Sequence, residues 1–173
     1  MDHPLYKPLL AASITASSFL VGCQLSLSHV TLATILTKPQ PAESTLLRQF
    51  KTVFWRGFQL CPSSALFSSL CCFINAALIL RRTGRSALSL GGRVPRLFLA
   101  GTLMIGLIPY TVAFILPVED PLLEKEAAIS SGKAGGEGSD AGETVALLKK
   151  WNVRNYIRAM IPALGMAVAW SLY

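Results

Sequence analysis

WNVRNYIRAMIPALG, Trp151 to Gly165, opens the last apolar segment of the chain and decides how the whole is read. Trp151, Asn155, Arg158, Pro162 and Gly165 recur at spacings of four, three, four and three, which places all five on one face of a helix. Arg158 lies at least a turn inside a segment that otherwise reads as membrane-spanning. An arginine at that depth is costly unless it faces a polar cavity or a partner. This face therefore points inward, toward the working part of the molecule. The competing reading is an arginine that snorkels to the interface and only anchors the helix, as interfacial Arg and Trp often do.

Outward from this stretch, the composition supports the membrane reading. Of 173 residues, 52% are hydrophobic and only 14% charged, with a mean hydropathy of +0.50. That is too apolar and charge-poor for an ordinary soluble domain. The charges sit in blocks. Pro8 to Thr37, Gly57 to Leu80 and Leu97 to Val118 contain no Lys, Arg, Asp or Glu, and Tyr156 to Tyr173 contains only Arg158. A helix needs about 20 mostly apolar residues to cross the hydrocarbon core. The expectation is an all-α integral membrane protein, a four-helix up-down bundle forming a single transmembrane domain over residues 1–173. Its spans are placed at about 8–37, 54–80, 97–117 and 151–173.

The net charge of +7 does not indicate nucleic acid. Arg81, Arg82, Arg85, Arg93 and Arg96 cluster between the second and third spans, as the positive-inside rule predicts for a short cytosolic loop. That orientation puts both termini in the cytosol, although Lys38, Arg48, Lys51, Lys149 and Lys150 lie on the other side. The first window is too long for the apolar part of a secretory signal and is read as an uncleaved span. Cys23, Cys61, Cys71 and Cys72 all fall inside spans without metal or redox spacing, and read as small packing residues. His3 and His29 are too far apart in sequence to make a histidine-based metal site expected.

Taken in order, the first span carries a polar stripe of Ser17, Gln24, Ser28 and Thr31, with His29 beside it. Pro39 and Pro41 break the chain, and Ser44 is read as the cap of a short interfacial helix running into the second span. That span begins at Trp55, Arg56 and Gly57, with Gln59 three residues from Arg56 and Pro62 in its first turns. In the third, Tyr110, Phe114 and Pro117 share a face, and Pro109 is expected to bend the helix. Seven of the nine acidic residues lie between Glu119 and Glu143. Pro121 to Ala127 is read as a short helix, about 128–143 as a flexible linker, and the last helix as starting near Thr144.

Antiparallel packing brings the end of span one, the start of span two, the end of span three and the start of span four to one membrane face. Those places hold His29, Arg56, Gln59, Tyr110, Thr111, Trp151, Asn155 and Arg158. Convergence of polar and aromatic groups in one half of an apolar bundle is the site signal.

The same residues carry a family resemblance. The chain resembles the fungal anthrone oxygenases, small four-span membrane proteins. The matching pieces are SLS at Ser26 to Ser28, WRG at Trp55 to Gly57 with Pro62, PYT at Pro109 to Thr111 with Pro117, and W-x3-N-x2-R-x3-P on Trp151, Asn155, Arg158 and Pro162. Two places depart from the family pattern. The expected PTN after the third span reads Pro117, Val118 and Glu119, and Ala33 stands where a proline often ends the first span. The resemblance implies oxidation of an anthrone to an anthraquinone by molecular oxygen in polyketide biosynthesis. It implies no metal, no flavin and no other cofactor, and a location in the endoplasmic reticulum or a related endomembrane. Such chemistry needs a base, a cation for the enolate oxygen, and an apolar slot for a flat tricycle. The expected catalytic residues are Arg158, Asn155, His29 as base, and Tyr110. The expected substrate contacts are Trp151, Trp55, Arg56, Gln59, Thr111 and Glu119, with Glu119 as the alternative base. The partners expected are the anthrone, oxygen and membrane lipid. The alternative function is a non-enzymatic tetraspan anchor or scaffold for a biosynthetic partner, in which these side chains would pair off and the bundle would close.

Overall fold

The charge-free windows become helices, and the helices run on past the windows. The computed structural model describes residues 3–39, 41–84, 92–132 and 141–173. Helix α1 spans Tyr6–Ile35, α2 Glu43–Thr83 and α3 Arg93–Ser130, and α4 spans Ala141–Trp170. Among the described residues there is no strand. Helices α1, α2 and α3 are each long and apolar enough to cross a membrane. Helix α4 is as long as α1, but Arg154, Asn155 and Arg158 lower its hydropathy. Phe19, Leu66, Phe67, Leu99 and Leu164 are each at least 50% exposed on the outer surface. A soluble monomer rarely shows so much apolar area.

The contacts across each seam run in opposite directions, so every neighbouring pair is antiparallel. Tyr6 and Ser13 of α1 meet Asn75 and Ser68 of α2. Ser69 of α2 meets Gly101 of α3, and Lys51 meets Glu126. Thr111 of α3 meets Arg158 of α4, and Glu119 meets Trp151. The ring closes where Ser28 of α1 meets Asn155 and Tyr6 meets Leu172. The result is an up-down-up-down four-helix bundle.

The core has three apolar levels. Tyr6, Leu10, Ala76, Leu97, Met104 and Ala169 fill the end that holds both termini. Leu20, Cys61, Ala65 and Leu107 form a middle level. Leu32, Leu47, Phe50, Val118, Leu122 and Trp151 fill the far end. Close approach needs small residues here. At Gly165, a Cβ would lie 2.9 Å from the Ala100 carbonyl oxygen.

The bundle extends past the charge-free windows at the far end. Residues 43–56 of α2 precede its window and add about 21 Å of helix at 1.5 Å per residue. Lys51 pairs with Glu126, Lys125 with Glu143, and Thr144 bonds Glu43, stitching these extensions together. The separate interfacial helix expected at Ser44 is therefore part of α2, which starts after Ala42 without a side-chain cap. Nothing between Pro41 and Pro62 breaks it, and Leu46, Leu47 and Phe50 bury in the same seam as the span. Helix α3 likewise passes through Pro121 to Ser130, so Pro121 to Ala127 is not a separate helix. Residues 128–130 and 141–143 of the expected linker are helical, with Ile129 packed on the far-end cluster, Ser130 donating to Glu126 and Glu143 paired with Lys125; residues 133–140 lie outside the described residues. In the basic connection, Arg85 and Gly91 lie outside them too, while Arg81 and Arg82 end α2, which stops at Gly84 with φ of 65°.

Two turns are wider than α. Leu27–Leu32 in α1 and Thr111–Ile115 in α3 are π-helical. Such turns occur frequently at functional sites.

Candidate active site

Between the middle and far-end apolar levels, the core turns polar. Arg158 is only 8% exposed. Its Nη2 donates to Asn155 Oδ1 at 2.5 Å and its Nη1 to Thr111 Oγ1 at 3.3 Å. Asn155 is held from the opposite side. Its Nδ2 donates to Ser28 Oγ at 2.6 Å and to the Gln24 carbonyl at 3.1 Å. With both amide hydrogens taken, the amide oxygen has one orientation, and that orientation faces the guanidinium. Thr111 is fixed in turn by donating its own hydroxyl to the Leu107 carbonyl at 2.7 Å.

Both π turns border this arrangement. A π turn lifts carbonyls out of the regular i to i+4 ladder. The Gln24 carbonyl, at the step into the first, receives Asn155; the Phe114 carbonyl, inside the second, receives Arg154. In α3 the wider turn also keeps Leu107, Thr111 and Leu116 on one wall at spacings of four and five.

That wall bounds a cavity of about 270 Å³ between α2 and α3. Val53, Phe54, Gly57, Phe58, Cys61 and Pro62 line it from α2, and Leu27 closes it from α1. Arg158, Trp151 and Glu119 stand on the same lining. Trp151 is buried, edge-on to Phe50 with ring centroids 5.3 Å apart, and its Nε1 donates to Glu119 Oε1 at 2.6 Å. The other Glu119 oxygen and Arg158 Nε are buried without a partner. An apolar slot with one cation, one carboxylate and one indole is suited to a flat aromatic ligand on which negative charge develops.

Sequence-predicted residues divide accordingly. Arg158, Thr111, Trp151 and Glu119 line the cavity, and Asn155 lies directly behind Arg158. His29 does not join them. It is exposed and its Nδ1 lies 3.3 Å from the Tyr156 hydroxyl, because it is one residue around the helix from buried Ser28. Tyr110 is half-buried outside the cavity lining, stacked on Phe114 at 4.9 Å and packed on the far-end cluster. Trp55, Arg56 and Gln59 are exposed on the outer face of α2, with Trp55 edge-on to Phe54 and Phe58. Gly57 and Cys61 hold the inward positions instead. Gln24 was legible as part of the polar stripe. It lends its carbonyl to Asn155 and keeps a buried side-chain amide with neither atom partnered.

Comparisons with known proteins point to one family. The model of a family described as anthrone oxygenase matches residues 50–168. The anthrone oxygenase AgnL2 of Paecilomyces divaricatus is 29% identical, over 94% of this chain and 92% of that protein. A noranthrone monooxygenase of Aspergillus flavus is 27% identical over 88% of this chain and 67% of its own length. The anthrone oxygenase tpcL of Aspergillus fumigatus is 24% identical over 90% and 86%. No solved structure matches the chain.

Proposed function

The chain belongs to the anthrone oxygenase family, and from that premise we propose that it oxidises an anthrone to an anthraquinone with molecular oxygen, in the cavity between α2 and α3. The observation that carries the reading is the buried Arg158 on the wall of an otherwise apolar slot, oriented by Asn155 and Thr111. An anthrone has a methylene between two aromatic rings, across the central ring from a carbonyl. Loss of one methylene proton makes an electron-rich aromatic enolate whose charge gathers on that oxygen. A fixed, buried guanidinium stabilises such charge far better than it would in water. The resulting anion gives an electron to oxygen directly, which is why the resemblance implies no cofactor.

The apolar walls fit the rings. Phe54 and Phe58 on one side and Ile108 and Leu116 on the other face a flat ligand across the slot. At about 270 Å³ the space falls just below the usual range of ligand pockets, roughly 300 to 1,000 Å³, so a flat tricycle would fill it closely. A purely structural tetraspan scaffold would close this space and pair its polar groups; the open cavity and the unpartnered Arg158 Nε support the enzyme reading.

The setting is part of the proposal. Helix α4 crosses with the other three, in contact with lipid, in the endoplasmic reticulum or a related endomembrane. Both termini and the connection bearing Arg81 and Arg93 face the cytosol.

The test is direct. Purified protein is given a panel of anthrones under oxygen, and quinone absorbance and oxygen uptake are followed. One substrate should turn over well above the spontaneous rate. A panel that includes phenolic anthrones and shows no acceleration with folded protein would refute the reading.

A further inference from the structure

We propose that Glu119 is the base that removes the methylene proton, an assignment that rests on reading the cavity as an anthrone site. A base must reach the substrate, keep an unengaged acceptor and be held in place. Glu119 lines the cavity, is held in place and keeps one unengaged oxygen, which a side-chain rotation would turn toward a ligand. It is 1% exposed and on the cavity lining. Trp151 Nε1 fixes Oε1 at 2.6 Å, while Oε2 has no partner.

The other candidates fail on position or on chemistry. His29 is outside the cavity, against Tyr156. Cys61 is on the wall, but it is a buried thiol in contact with Cys23, and a thiol in apolar surroundings is not a proton acceptor. Glu126 is held by Lys51 and Ser130 and lies beyond the cavity. Among the described residues that line the cavity, Glu119 is the one carboxylate.

The division of labour with Arg158 is chemical. The methylene C–H bond breaks, its proton goes to Glu119 Oε2, and its electron pair moves through the rings to the carbonyl oxygen, where Arg158 meets the charge. The anion passes one electron to oxygen. The carbon radical and superoxide join at the former methylene carbon as a peroxide anion, which takes the proton back from Glu119. Glu119 then removes the second hydrogen of that carbon as a proton. The O–O bond breaks, the carbon–oxygen double bond forms, and the departing hydroxide collects the proton as water. One oxygen molecule is consumed, one water is made, and Glu119 ends as it began. Two hydrogens leave one carbon through one carboxylate, so a single free oxygen atom suffices.

The experiment separates proton removal from oxygen chemistry. Purified protein and an accepted anthrone are held without oxygen in D2O, and deuterium entry at the methylene is read by mass spectrometry against a protein-free control. The wild type should exchange well above the control. Glu119→Gln keeps the side chain's size and an oxygen for Trp151. It should bring exchange to the control rate and reduce aerobic turnover by about 10²-fold or more. Glu119→Asp keeps the carboxylate one methylene farther back, and should retain a measurable fraction of both. Folded Glu119→Gln protein that exchanges at the wild-type rate would overturn the assignment, as would folded Glu119→Asp protein that exchanges no faster than Glu119→Gln. Wild-type protein that oxidises no anthrone would instead refute the functional reading on which the assignment stands.

Discussion

Replacing Arg158 by leucine tests the cavity reading at its centre. The side chain is 8% exposed, makes two hydrogen bonds to Asn155 and Thr111, and stands on the cavity lining. If it holds the enolate oxygen, its loss removes one preorganised oxyanion donor, and such a loss costs about 10²–10³ in rate, or roughly 2.7–4 kcal/mol of transition-state stabilisation. The effect on stability is smaller and works from two sides. Asn155 Oδ1 loses its donor, and a buried acceptor left unsatisfied costs about 1–3 kcal/mol. Against that, leucine is favoured over arginine by roughly 3–4 kcal/mol at the centre of a membrane helix, and by less toward its ends. The two nearly cancel, so the variant should accumulate and melt much like the wild type while turning over about a hundredfold more slowly. Arg158→Lys should recover only part of the rate, since a point charge does not copy the planar fork. The measurements are quinone formation per mole of purified protein and a thermal melt in the same detergent. Near-normal turnover, or activity lost only in proportion to protein lost, would refute the reasoning and return Arg158 to the role of anchor.

Other expectations are independent of that one. His29→Ala should leave turnover within about twofold of wild type, because surface changes away from special features usually cost within about 0.5 kcal/mol; a hundredfold loss would put the base back on α1. Gly165→Ala should lower the melting temperature, since a Cβ there would meet the Ala100 carbonyl at 2.9 Å and the Leu103 Cβ at 3.1 Å, and overpacking costs about 1–3 kcal/mol; an unchanged melt would show that α3 and α4 can separate freely. Accessibility tags at the N-terminus, in the connection between α2 and α3, and at the C-terminus should all report one side of the membrane, and protease protection that separates the two termini would refute four crossings.

Charge blocks made the bundle legible because a hydrocarbon core excludes charge regardless of which residues carry the apolar surface. The same simplicity limited the site. Trp151, Asn155 and Arg158 were correctly placed on one inward face because α4 is regular α-helix through that stretch. Trp55, Arg56 and Gln59 were drawn inward as polar or amphipathic residues, whereas at the end of a span such residues are as well served on the outside. The inward face of α2 was marked instead by the small pair Gly57 and Cys61, four apart, which leave room rather than supply chemistry. Tyr110 sits at the end of span three and does share a face with Phe114, but that face packs on the far-end cluster instead of lining the cavity, which position along the helix alone does not reveal. Glu119 was legible as a residue and as a departure from the family pattern. Its burial was not legible, because nothing in the sequence told that α3 would continue as helix and carry it against Trp151.

A π turn amounts to one residue added to an α-helix. Removing a residue from a regular helix turns everything beyond it by about 100° and so takes the far half off the core. Removing one within Leu27–Leu32 or Thr111–Ile115 instead restores ordinary helix, and leaves Leu32, Ile35 and Leu122 in phase with their neighbours. What disappears is local: the carbonyl offered to Asn155, or the spacing that keeps Leu107, Thr111 and Leu116 on one wall. In this chain the fold and the site are therefore separable by length. Deleting one residue within either π turn should change the wall beside Arg158 while leaving the bundle in phase, a perturbation that substitutions alone do not reproduce.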